Sequence, residues 1–176
     1  MQPNTNLQSF KNGHYVSLAR IARIAGRLYG AIYQPKGEYR GMAKSIESIE
    51  GIGPRYGAKL RAIGCSSPKK LLQHGATRKG RQEIAKRSGI TPSIVLRCVN
   101  MADLFRIRGV ASQYAELLEA AGVDTVKELR HRNVDNLAAK LRQANGRKRL
   151  SRQVPSKKMV AKWIAQAKKL VPIVTY

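Results

Sequence analysis

The sequence predicts an all-α protein, and three observations carry that prediction. Apolar residues recur at helical spacing through most of the chain, strand-like alternation is absent, and the chain matches itself at a shift of 58 residues. Laying IEGIGPRYGAKLRAIG (Ile49 to Gly64) over IRGVASQYAELLEAAG (Ile107 to Gly122) needs no gap. Ile49 meets Ile107, Gly51 meets Gly109, Ile52 meets Val110, Tyr56 meets Tyr114, Leu60 meets Leu118 and Gly64 meets Gly122. A little further on, Leu71 meets Leu129. Each copy reads as a short helix, a tight glycine turn and a second, amphipathic helix.

Helix-start chemistry extends both copies. In CSSPKKLL, Ser67 can cap a helix whose first residue is Pro68, where a missing amide costs nothing. In VDTVKEL, Thr125 and Glu128 stand at capping-box spacing. Apolar periodicity places further helices over 82–87, 93–104, 134–143 and 156–170. Upstream, YVSLARIARIAGRLYGAIY (Tyr15 to Tyr33) puts Leu18, Ile21, Ala25, Leu28 and Ile32 on one helix face and Arg20, Arg23 and Arg27 on the other. That stretch reads as an amphipathic helix docked on the core; a membrane-surface helix, an organelle transit peptide and translation starting at Met42 are competing readings. The expected organisation is a basic N-terminal extension (1–41), a first repeat (42–101), a second repeat (102–172) and a C-terminal tail (173–176), the repeats forming one compact helical domain.

Charge bounds the function. Thirty-four Lys and Arg stand against ten Asp and Glu, a formal +24. Residues 1–41 carry +5, 42–101 carry +9 and 102–176 carry +10, so the excess runs along the whole chain. Such a chain repels itself when compact, and a polyanionic partner is the economical explanation. Cys65 and Cys98 are too far apart and too isolated for a zinc site or a disulfide framework, and read as core residues in a reducing compartment. No run of eighteen apolar residues is present to span a bilayer. His14, His74 and His131 have no partners at metal or triad spacing, and the first acid after GIGP is Glu83, in a highly charged segment. No catalytic residue, metal, cofactor or small-molecule substrate is expected.

The glycines locate the contact. A helix starts with amides that lack intrahelical partners and with about half a positive charge from its dipole. Gly51 and Gly53 strip side chains from such a start, letting a phosphate oxygen approach while Ile52 anchors inward. Arg55, Lys59 and Arg61 follow in the first copy. In the second copy the counterparts are Gln113, Leu117 and Glu119, with Glu116 nearby and Ala111 in place of the second glycine, so that copy is expected to be mainly structural, with Arg106 and Arg108 contacting a backbone from the preceding segment. Two further basic clusters extend the footprint: Arg78, Lys79 and Arg81 in TRKGRQEIAKR, and Arg147, Lys148, Arg149, Arg152, Lys157 and Lys158 in NGRKRLSRQVPSKK. Phosphate contacts position a protein without specifying sequence.

The pattern hxGhG followed by an amphipathic helix resembles the helix-hairpin-helix motif of DNA polymerases, ligases and repair proteins. From Met42 to about Leu170 the chain looks like the bacterial domain-of-unknown-function family 4332, a tandem helix-hairpin-helix module. IEGIGP, HGATRKGR, VNMADLFRIRGV, LLEAAGVDTVKELRHRN and PSKKMVAKWIAQAKKL carry that resemblance. It implies a SAM-like helical domain that binds nucleic acid through its phosphates. Where the family tends to carry Trp before VN this chain has Cys98, while Trp163 keeps the equivalent place in the second half; a loosened packing contact is expected at Cys98. Scarce aromatic residues favour a DNA duplex over splayed single-stranded bases. An RNA- or ribosome-associated protein and a non-catalytic protein-interaction scaffold are the competing functions. The expected location is the bacterial cytoplasm or nucleoid, or an organelle if the source is eukaryotic.

Overall fold

The computed structural model describes residues 45–176; the extension 1–41, with its expected helix over 15–33, lies outside the described residues. A 3-10 turn, Ile46–Ser48, precedes eight α-helices, and there is no strand among the described residues. The helices are α1 (Pro54–Ala62), α2 (Pro68–Gly75), α3 (Arg78–Ser88), α4 (Pro92–Leu104), α5 (Ser112–Ala120), α6 (Val126–Leu129), α7 (Val134–Lys148) and α8 (Lys157–Lys169). Residues 45–176 fall in a single compact unit, and the protein's fold class there is all-α.

Local chemistry explains where these helices start and stop. Ser67 Oγ accepts the Lys70 N–H, Thr77 Oγ1 that of Gly80, Asn133 Oδ1 those of Asp135 and Asn136, and Ser156 Oγ that of Met159. Thr125 Oγ1 accepts the Glu128 N–H, but the Glu128 carboxylate takes the Asp124 N–H at 2.8 Å, one residue before the partner a capping box supplies. Gly64 and Gly122 close α1 and α5 at φ +92° and +79°. Behind each, a six-residue bond follows, Cys65 N–H to Leu60 O and Val123 N–H to Leu118 O, both 2.9 Å. The segment before Gly51, read as a short helix, is only the three-residue 3-10 turn.

Backbone geometry recurs at the 58-residue offset. The helices α1 and α5 start and stop at matching positions, as do the starts of α2 and α6. Gly51 and Gly109 sit at φ +84° and +93°, and Ile52 N–H to Ile49 O is matched by Val110 N–H to Ile107 O, both 3.0 Å. Several packings correspond: α1 on α3, α2 on α4 and α3 on α4 in the first half, α5 on α7, α6 on α8 and α7 on α8 in the second, while α2 also packs on α3 without an equally extensive counterpart between α6 and α7. Helix α4 also packs on α5 and joins the halves. A continuous apolar cluster runs from Ile46 to Val174, so the halves share one core.

Two buried arginines finish the joint. Asp103 Oδ1 accepts Arg106 Nη1 at 2.8 Å while Oδ2 accepts the Val126 N–H at 2.9 Å, and Arg106 Nη2 donates to Val171 O at 2.9 Å. Arg81 donates to the carbonyls of Gly75, Ala76 and Thr175, and its guanidinium lies 5.8 Å from the Tyr176 ring centroid. With Thr175 N–H bonded to Ala76 O at 2.9 Å and Val174 buried, the tail is stitched back from the second half onto the first. Beside Cys98 an apolar void of about 10 Å³ is lined by Ile52, Tyr56, Leu60 and Leu71, whereas in the second half Tyr114 and Trp163 meet with ring centroids 5.2 Å apart. The void is at the lower limit for one water, so the apolar side chains around Cys98 leave little free space. Burial raises the Cys98 thiol to about 11.

Candidate nucleic-acid interface

The first glycine corner is at the surface, and its two glycines differ in what they do. Ile52 points inward, 4% exposed, while Gly51, Gly53, Pro54 and Arg55 are exposed. Gly51 is required by the backbone, because φ +84° is strained for any residue with a Cβ. Gly53 is not: it caps α1 at φ −76°, ψ 178°, and nothing lies within 4 Å of where its Cβ would stand. Ala111 holds the matching place before α5 in a similar extended conformation. Pro54 contributes no amide, which leaves the amides of Gly53, Arg55 and Tyr56 without a hydrogen-bond partner among the described residues.

Tertiary packing redistributes the charge around this corner. A Cβ on Gly51 would lie 3.3 Å from Arg97 Nη1, so the guanidinium covers the bare face of that glycine. Arg97 Nε donates to both Glu119 oxygens at 2.8 and 3.0 Å, and its Nη2 lies 3.6 Å from Glu116. Glu50 accepts the Ser112 hydroxyl at 3.2 Å. Burial first, and then the neighbouring Glu50 carboxylate, raise the Glu116 pKa against the pull of Arg97. The acids that set the second copy apart in sequence therefore stand beside the first corner in space. At the second corner the Gln166 side chain clamps Arg108, accepting its N–H at 2.9 Å and donating to its carbonyl at 3.2 Å. Lys162 and Lys169, one turn either side of Gln166 on α8, are exposed there.

The remaining expected contact residues divide by environment. Arg81 and Arg106 were expected at the surface and are instead 6% and 5% exposed, with their donors turned onto interior carbonyls and Asp103; a phosphate cannot reach them. Arg61 is exposed and paired with Glu47, Lys157 is exposed and paired with Asp135 at 2.7 Å, and Lys59 is half-buried with Nζ 3.5 Å from Gly89 O. Arg55, Arg78, Lys79, Arg108, Arg147, Lys148, Arg149, Arg152 and Lys158 are exposed. Arg149 ends α7 in the left-handed region at φ +50°, and the Asn145 side chain clasps both the N–H and the carbonyl of Ser151, so the basic segment after α7 is a shaped loop. Arg97 and Lys162 escaped the sequence reading. Each directly precedes one member of the Cys98 and Trp163 pair, and that register was the available signal.

Among the described residues no helix is long and apolar enough to cross a membrane, and no group of three or more His, Cys, Asp or Glu could hold a metal ion. A family model described as a domain of unknown function (DUF4332) matches residues 50–170. The chain belongs to that family. Comparison with curated proteins and with solved structures finds no match. The matched span begins at Glu50, beside the first corner, and ends at the last turn of α8, so the family covers both glycine corners and the helices that pack on them.

Proposed function

We propose that this member of the family is a non-catalytic protein that binds the phosphate backbone of duplex DNA without reading its sequence, using two helix-hairpin-helix units of which the first makes the closer approach. The observation that carries this reading is Gly53: an exposed glycine with an ordinary backbone conformation and open space before it, followed by exposed Arg55. Folding accounts for Gly51 but makes little demand at position 53, because glycine is favoured over alanine at a helix cap by under about 1 kcal/mol and Ala111 occupies the equivalent place. A bare main chain beside unpartnered amides and a cation suits a phosphate oxygen. The other exposed Lys and Arg supply long-range attraction.

The test is duplex binding over a salt series for the full chain and for Gly53→Ala and Arg55→Ala. Neutralising about six phosphates gives a slope of log affinity against log salt near −5, and Arg55→Ala flattens it by about one. Gly53→Ala lowers affinity at every salt concentration and leaves the slope in place, because it blocks approach without removing charge. Wild-type affinity and slope in both variants would remove the first corner from the interface. Absence of duplex binding near physiological salt would replace the reading with a protein scaffold, and preferential competition by structured RNA at matched salt would replace DNA with RNA.

A further inference from the structure

Where α5 ends against α7, an open cleft of about 230 Å³ is cut into the surface. It lies at the opposite end of α5 from Ser112, roughly 13 Å along the helix axis. Part of its lining is methyl, from Ala120 and Ala121 at the end of α5 and Ala144 of α7. Its polar lining comes from one face of α7, where Lys140, Gln143, Arg147 and Lys148 recur at helical spacing. No carboxylate lines it. Cations in the last turn of a helix offset its dipole, which accounts for Arg147 and Lys148 but not for Lys140, two turns earlier, nor for the hollow.

The lining selects a ligand class. Three cations around one small space call for a multivalent anion. A bare phosphate would leave the methyl surface wet, and a wholly apolar molecule would strip water from the cations without replacing it. The volume lies just below the ~300 Å³ lower end of ordinary ligand pockets, so the cleft suits one compact unit and not a length of polymer. We propose that this cleft binds a single nucleoside phosphate, its phosphate held by Lys140, Arg147 and Lys148, with the Gln143 amide in reach and the sugar or base resting on the three alanine methyls. The ligand is either a free nucleotide or the phosphorylated end of a strand. The inference goes beyond duplex-backbone binding and does not depend on it.

The test uses the full chain with ¹³C-labelled alanine methyl groups, titrated with adenosine 5′-monophosphate, adenosine, inorganic phosphate, and a short oligonucleotide with and without a 5′-phosphate. Saturable shifts of the Ala120, Ala121 and Ala144 methyls with the monophosphate are expected, at least tenfold weaker with adenosine or phosphate alone. Lys140→Ala with Arg147→Ala weakens the monophosphate response about tenfold. A response to the 5′-phosphorylated oligonucleotide but neither to its 5′-hydroxyl form nor to the free nucleotide assigns a strand end; a response to the free nucleotide assigns that instead. Both support the proposal. No saturable methyl shift with any nucleoside phosphate, or equal response to adenosine, would overturn it, and neither readout depends on a variant folding. Loss of duplex binding with these shifts intact would remove only the duplex reading.

Discussion

Replacing Asp103 by alanine tests whether the interior of this protein is held by a buried charge pair. The Asp103 and Arg106 side chains are 1% and 0% exposed. The carboxylate accepts from Arg106 Nη1 and from the first amide of α6. Removing it takes the counter-charge from a buried guanidinium and the acceptor from that amide. Breaking a buried pair from one side costs about 3–5 kcal/mol, and an unsatisfied buried amide costs roughly 1–3 kcal/mol in its own right. For a protein of this size the melting temperature falls by roughly 10–20 °C. Urea unfolding of the full chain followed by far-UV circular dichroism measures the loss directly. The double variant Asp103→Ala with Arg106→Met should be more stable than Asp103→Ala alone, because it also removes the buried charge that lost its carboxylate. A single-variant cost under about 1 kcal/mol, or a double variant that loses the sum of the two single costs, would refute the reasoning.

Other expectations follow from the same geometry. Gly64→Ala and Gly122→Ala each meet open space but keep a positive φ, so each costs about 1–2 kcal/mol and the two losses agree within about 0.5 kcal/mol; Gly80→Ala drives its Cβ into the His74 carbonyl and costs more than either in the same urea assay. Because the Glu116 pKa is raised in the fold, its ionisation opposes folding, and stability is lost as pH rises from the unfolded value through the folded one. Glu116→Gln removes that decline and tightens duplex binding by taking a negative charge from the first corner; an unchanged pH profile of unfolding would exclude this. The Cys98 thiol, raised from 9.0 to about 11, favours the folded state below its unfolded pKa, and roughly 2–3 kcal/mol of stability is lost as pH climbs from about 9 through about 11. Cys98→Ala shows a shallower alkaline decline, and a native thiol titrating near 9 by thiolate absorbance would contradict it.

Much of the architecture is legible in the primary structure because its signals are local. Helical periodicity needs only neighbours three and four apart, and Ser67, Thr77 and Ser156 cap the residues that follow them. The 58-residue self-match carried the two glycine corners to Gly51 and Gly109, both of which need a left-handed backbone. Burial of individual cations was not legible. Arg81 and Arg78 sit three apart in one basic run, yet only Arg81 turns into the core, where the carbonyls of Gly75, Ala76 and Thr175 await it. Asp103, three residues before Arg106, is a local partner that Arg108 lacks, but the peptide that completes the burial of Arg106, Val171, is 65 residues away.

By itself the amino-acid order determined an all-α chain, the glycine corners and the large positive charge, because helix propensity, capping and net charge depend on residues acting singly or within a turn of one another. Tertiary structure decided which of those charges can meet a partner. It drew Arg81 and Arg106 inward, laid Arg97 across Gly51, set Glu116 and Glu119 beside the first corner and brought the alanines that end α5 against the face of α7 that carries Lys140, Arg147 and Lys148. The electrostatic environment of a side chain is the sum over everything packed around it, and in a helical bundle most of those neighbours come from distant helices.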